Sequence, residues 1–489
     1  MGDGGSCAAA GAASEEKVKG LIIRCMRRLM SSHGRFWSSG LAIVLSCVSS
    51  LGAESSAGSD AVGPSKTAPN PVVERAMEVL RDECVACHRA GKAKGGLKLH
   101  SLEGLKAGGE AGPVITAGAS AESLLVQVLD AKGDPHMPPK RQLSAEQVEA
   151  LKKWVDAGAG WDASVMERPP KVAPVVVGVM PEGVRPTLAL AFSPDGKWLA
   201  RSRGGVVELR RAGEPGMPLH AEVDVFPEAV GSLVWTKEGD GLVVGGFRRV
   251  KVIDVAGAKV GGEVKGAFVG EIGAMVADVA GGRLWVADSI AGRGGFVRQF
   301  MVGDFTEVAV WKAHEDSVLG LALSGDGKWL ATAGADRVMK RWGAEDRGLA
   351  GVYEGHTNQV LSVVFEPTGT RIATAGADRE VKVWDCETRE QDAVLGDKRQ
   401  VFTALAWGKD GVSLVGVTDR GAGSAFSEIK KHTGEQRSDT GKVKVLEKVT
   451  SALQTVAISP DGATAAAGGG DGRLHVWTLK DGKPVELKE

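Results

Sequence analysis

The stretch of this 489-residue chain that carries the most chemistry is Cys84-Val85-Ala86-Cys87-His88. Two thiols three positions apart stand on neighbouring parts of one helical turn, where both can form thioethers to the vinyl groups of a single haem. The histidine directly after them can place a ring nitrogen on the iron. The pattern predicts one covalent haem c on Cys84 and Cys87, with His88 as the proximal iron ligand. A zinc half-site competes with it: Cys84, Cys87, His88 and one of His100 or His136 could make a tetrahedral set. No second cysteine pair stands in this part of the chain, which favours haem.

Such a haem needs a group on its other side. Met137 lies in Asp134-Pro135-His136-Met137-Pro138-Pro139, where prolines on both sides forbid helix and hold the segment extended. A thioether on so stiff a loop can reach the iron as distal ligand, and His/Met ligation raises the reduction potential and suits electron transfer. His136 is the second candidate; an apolar Met137 plug or an open iron site are the remaining ones.

Two helices must position these groups. Pro71 opens a pattern with Val72, Val73, Ala76, Met77, Val79 and Leu80 on one face, running into Cys84. In the second, Ser144 and Gln147 form a capping box, and Leu143 and Val148 occupy the staple positions. Val148, Leu151, Trp154 and Val155 make its inner face, and Gly158 is placed to end it.

Upstream, residues 26–53 combine a basic start, the apolar run Leu41–Leu45 and small residues ending at Ala53, which is the pattern of a secretory signal peptide. Residues 1–53 are therefore expected to be a leader, with Met26 or Met30 a more natural start, and 54–70 a flexible linker. The expected location is exported, periplasmic or cell-envelope associated. Lipid attachment at Gly2 or Cys47, or an uncleaved signal, would add a membrane anchor. Cys7, Cys25 and Cys47 fall in this leader, and Cys386 reads as a small buried apolar residue. With 60 basic against 61 acidic residues, charge gives no reason to expect nucleic acid as a partner.

Residues 81–161 resemble the planctomycete-type cytochrome c domain. The resemblance rests on Cys84–His88, Lys94-Gly95-Gly96-Leu97-Lys98-Leu99, Gly108–Pro113, Ser123-Leu124-Leu125, Met137-Pro138-Pro139 and Trp154–Ala159, in that order. It implies a small all-α cytochrome c domain over 71–161, with His88 proximal and Met137 distal. His100 departs from it, standing where an acidic residue is expected, and reads as a surface residue.

Five prolines in 166–186 mark a linker. Beyond it, seven pairs of apolar strands meet at polar turns whose glycines are Gly196, Gly239, Gly281, Gly327, Gly369, Gly411 and Gly462, spaced 43, 42, 46, 42, 42 and 51 apart. Seven copies at that period predict an all-β seven-bladed propeller over 187–489. The copies resemble WD repeats. By that resemblance His314, Thr332, Asp336 and Trp342, and His356, Thr374, Asp378 and Trp384, form two hydrogen-bonded chains that are structural, not catalytic. The third and sixth blades, rich in glycine, are expected to be the least regular. Val175–Val179 is expected to supply the outer strand of the seventh blade, closing the ring.

The combination predicts an exported c-type haem protein that transfers electrons through one haem and uses its propeller to dock a redox partner, protein or peptide. Lys92, Lys94, Lys98, Lys140 and Arg141 could rim the haem edge and steer an acidic partner, or form an ordinary solvated face. A haem–propeller oxidoreductase, or a redox- or gas-sensing scaffold, is the alternative. No nucleophile–base pair stands out, so no catalytic residue is assigned.

Overall fold

The structure, a computed structural model, describes residues 70–89, 92–236, 239–278, 282–396, 399–430 and 441–488. The leader, most of the flexible linker and the turn glycine Gly281 lie outside these residues. Among the described residues no helix is long and apolar enough to cross a membrane. The chain divides into two compact units, one ending at Met166 and the other beginning its propeller part at Glu167.

The first unit is helical. Helix α1 (Pro71–Val79) starts where Asn70 accepts from the Val72 N–H at 3.0 Å, with proline in the first turn, where its missing N–H costs nothing. Short helices α2 (Leu102–Ala107) and α3 (Leu124–Gln127) follow, then α4 (Ala145–Asp156). Both halves of the Ser144/Gln147 capping box form. Past α4, Gly158 turns left-handed (φ 91°) and ends the helix. Met77 and Leu80 pack with Leu151, Trp154 and Val155 in one core. Helix α5 (Ala163–Glu167) adds Val165 and Met166 to it, so the unit runs past residue 161.

The second unit is seven antiparallel sheets in sequence order, spanning 190–224, 232–264, 271–314, 318–353, 360–395, 402–446 and 453–478. In the fifth, Val364, Ala373, Val383 and Ala393 stand opposite one another across all four strands, and all are buried. One such row shows why the strands alternate: each blade buries apolar residues against the blade on either side. First strands of successive blades are also linked. Ser232 donates to the Ile272 carbonyl, Ser362 accepts from Leu405 N–H, and Thr403 donates to the Leu453 carbonyl. The six described turn glycines all have φ between 70° and 76°, the left-handed region that favours glycine.

One expectation holds for the third blade and another changes. The third blade has the longest strands, eight residues each, but it shifts register three times, once directly after Gly295, whereas no other blade shifts more than twice and the sixth shifts once. The ring-closing strand is not formed as expected. Val175–Val179 forms no strand, and Val176 and Val179 are among the most exposed apolar residues described. The seventh sheet has three strands, and residues 483–485 run beside its last one. Lys483 carbonyl accepts from Thr478 N–H at 2.9 Å and Val485 N–H donates to Val476 at 2.7 Å. Lys488 then donates to the Gly216 carbonyl of the first blade, so the outer edge that Val175–Val179 was to fill is already taken. One core cluster joins Leu190, Phe192 and Leu199 of the first blade to Leu453, Val456 and Trp477 of the seventh.

Candidate haem-attachment site

Helix α1 reaches the cysteines, but its end changes pitch. Residues Leu80–Cys84 form a π turn, with Val85 N–H bonding the Leu80 carbonyl at 3.0 Å. A π turn spaces side chains wider than an α turn and is common where a helix serves a site. Cys87 N–H then bonds the Cys84 carbonyl, and the His88 carbonyl accepts from Leu99 N–H at 2.8 Å. The Cys84–His88 stretch is thus held by backbone bonds before and after it.

Both thiols are free and half-buried. Burial, with the neighbouring Cys87, pushes the Cys84 thiol up to about 12, so it stays protonated at neutral pH. The His88 ring is pushed down by burial, opposed by the nearby Leu97 and Lys94 backbone, and is therefore neutral, the form that binds a metal. Its Nδ1 is buried without a hydrogen bond of good geometry among the described residues. Two free thiols and a neutral imidazole carrying an unsatisfied nitrogen fit a haem. The zinc arrangement does not assemble: among the described residues no three His, Cys, Asp or Glu side chains are placed to hold a metal.

Met137 and His136 are both half-buried, on a loop pinned where Met137 N–H donates to the Val128 carbonyl at 2.6 Å. The module's other methionines are differently used. Met77 is fully buried, and its sulfur accepts from Asp162 N–H at 2.9 Å; Met166 lies in the core.

The sequence motifs around the site hold one another. Glu110 N–H bonds the Gly95 carbonyl at 2.8 Å, joining the two glycine motifs, and a Cβ at Gly109 would strike that same carbonyl. Buried Ser123 accepts from Thr116 N–H at 2.8 Å, and Asp156 accepts from both the N–H and hydroxyl of Ser120. Trp154 Nε1 donates to Gly160 at 2.6 Å. One positioning residue was missed in the sequence. Glu83, immediately before Cys84, pairs with Arg141 and accepts from Gln147 Nε2 at 3.3 Å, tying the cysteine turn to α4. Arg141 is therefore engaged and is not a free member of a basic rim. An acidic residue before the motif followed by arginine and a capping glutamine was the available signal.

In the propeller, His314 ends the outer strand of the third blade. Its Nδ1 lies 2.9 Å from Asp336 and its Nε2 2.7 Å from Thr332, whose hydroxyl accepts from Trp342 Nε1 at 3.0 Å. His356, Asp378, Thr374 and Trp384 repeat the arrangement one blade on. Each chain ties the strand connection between blades to the next sheet. Two glycines went unnoticed: a Cβ at Gly334 or Gly376 would collide with the His and Asp of its own chain.

Residues 84–141 match the family model for planctomycete cytochrome C, and residues 305–343, 348–385 and 442–478 match the WD domain, G-beta repeat. No curated protein matches the chain. The chain is thus a fusion of two classes: a planctomycete cytochrome c domain, followed by WD40 repeats forming a seven-bladed propeller. The cytochrome domain implies haem and electron transfer.

Proposed function

We propose that this is an exported electron-transfer protein that holds one haem covalently through Cys84 and Cys87, with His88 and Met137 as axial ligands. Its propeller serves as the platform on which a redox partner docks. The observation that carries the reading is the Cys84–His88 turn: two free thiols and a neutral imidazole, backbone-anchored at both ends. When bound, the haem supplies a one-electron couple whose potential is set by its axial ligands and burial. The protein's part is to fix positions. Glu83 and Arg141 hold the cysteine turn against α4, and the Val128 carbonyl holds the Met137 backbone. Met77 is engaged by the Asp162 N–H and Met166 is buried in the core, which leaves Met137, half-buried on its loop, as the module's methionine outside the core.

The test is to mature the full chain in a host that makes c-type cytochromes and record its pyridine haemochrome. One haem per chain is expected, lost in Cys84→Ala/Cys87→Ala. The untouched protein should resist carbon monoxide, and Met137→Ala should bind it. Absence of the haemochrome overturns the reading; ready carbon monoxide binding by the untouched protein favours sensing or catalysis instead.

A further inference from the structure

In every blade the turn between second and third strands contains one left-handed residue, and an arginine occupies that position or one next to it. The left-handed positions are Gly204, Arg248, Gly292, Arg337, Arg379, Gly421 and Gly472, and the arginines are Arg203, Arg248, Arg293, Arg337, Arg379, Arg420 and Arg473. Arg337 and Arg379 hold φ of 77° and 71°, where glycine would be unstrained. The preceding strand bonds show that successive blades align, so these seven turns share one face of the ring. The glycine turns at Gly196 to Gly462 share the other.

The arginines are not used alike. In the first two blades, Arg203 faces Glu208 and Glu222, and Arg248 donates to the Val269 and Ala173 carbonyls. In the other five, Arg293, Arg337, Arg379, Arg420 and Arg473 are exposed, and among the described residues none of them is ion-paired. The aspartates beside them make other bonds, Asp419 and Asp471 while still exposed. Asp336 and Asp378 hold the histidines, Asp419 accepts from Val401 N–H, and Asp471 from Arg473 N–H. Five consecutive blades therefore present an arc of exposed guanidinium groups, one per blade, interrupted by the exposed Asp419 and Asp471.

We infer that this arc is the docking surface and that its partner is a protein segment carrying spaced carboxylates. A guanidinium grips a carboxylate through two parallel N–H bonds, and spaced forks read spaced acids. A continuous polyanion or an anionic lipid surface fits less well, because exposed Asp419 and Asp471 interrupt the arc and would face it. The inference rests on the docking half of the proposed function and is independent of the haem.

The experiment uses the full chain and a fluorescent peptide whose glutamates are spaced by serine and glycine, with poly-L-glutamate as the continuous polyanion, each followed by anisotropy at low and moderate salt. A variant carries R293Q, R337Q, R379Q, R420Q and R473Q; a control carries K197Q and K328Q at the glycine turns of the opposite face. The parent and control are expected to bind, more weakly as salt rises, and the arginine variant about tenfold or more weakly, with an unchanged melting temperature. Equal binding by parent and arginine variant overturns the surface and leaves docking through another face standing. Arginine-dependent binding of poly-L-glutamate, duplex DNA or phosphatidylglycerol vesicles tighter than that of the spaced-glutamate peptide overturns the partner proposed. Failure of the matured protein to associate with any macromolecule on cross-linking would instead remove the docking reading itself.

Discussion

Trp384 Nε1 donates to Thr374 Oγ1 at 2.8 Å, and the same oxygen lies 2.8 Å from His356 Nε2. One fully buried hydroxyl therefore accepts from an indole and donates to an imidazole, which fixes the ring with its proton on Nδ1 facing Asp378. Thr374→Val keeps the shape and removes both bonds, leaving a buried donor and a buried acceptor unsatisfied. The propeller is expected to lose about 2–4 kcal/mol, read as a lower denaturation midpoint. Thr374→Ser, which keeps the hydroxyl, should recover most of it.

The two aspartates of these chains make the propeller acid-sensitive. Burial raises their carboxyl groups, but the hydrogen bonds they accept from the His314 and His356 rings and from the Glu315 and Thr357 N–H groups outweigh it and hold Asp336 and Asp378 below the usual carboxylate range. A folded value below the unfolded one contributes stability that is present above about pH 4 and lost as pH falls through the folded value. The melting temperature should therefore fall steeply below about pH 4. In Asp336→Asn/Asp378→Asn the fall should be shallower, from a lower starting point at neutral pH.

Much of this was legible from residue types and spacing. Cys84–His88, the capping box and the glycine turns are local patterns whose physics acts over a few residues, and the two units follow from them. What sequence could not supply was competition for an edge. Val175–Val179 has strong strand character, but a strand forms only where an edge is open, and residues 483–485 lie along that edge with three hundred residues between. Gly294–Gly295, by contrast, was a legible signal: glycine at the start of a strand marks a bulge, and the register with the outer strand shifts between Gly295 and Phe296. Glu83 was overlooked because its partner Arg141 is distant in sequence and charge pairs carry no periodicity.

Glu271, the first residue of the third blade's inner strand, should limit alkaline stability. Its Oε1 is buried without a hydrogen bond among the described residues, and burial pushes its carboxyl up to about 7. A folded value raised above the unfolded one gives stability that is complete below about pH 4.5 and lost as pH rises through about 7. Glu271→Gln removes the charge at every pH. Unfolding free energies from urea titration should match the parent near pH 5 and exceed it near pH 8, by on the order of 1–3 kcal/mol. A variant no more stable at pH 8 would mean that the ionised group finds a partner.

The ring's seam gives a prediction that separates two segments. Residues 483–488 contribute backbone bonds to Val476, Thr478 and Gly216, and the Lys488 carbonyl accepts from the buried Arg210 at 3.1 Å. Val485 and Leu487 pack on the core shared by the first and seventh blades. Losing these exposes an apolar seam and leaves the first blade's Arg210 short of an acceptor. Truncation after Asp481 should therefore lower the propeller's melting temperature by several degrees, since a few kcal/mol on a unit this size moves it by about 2–4 °C each. Val176→Ser/Val179→Ser should leave it unchanged, because exposed side chains outside any strand bury nothing on folding. The reverse outcome, a stable truncation and a weakened double-serine variant, would return the closing strand to Val175–Val179.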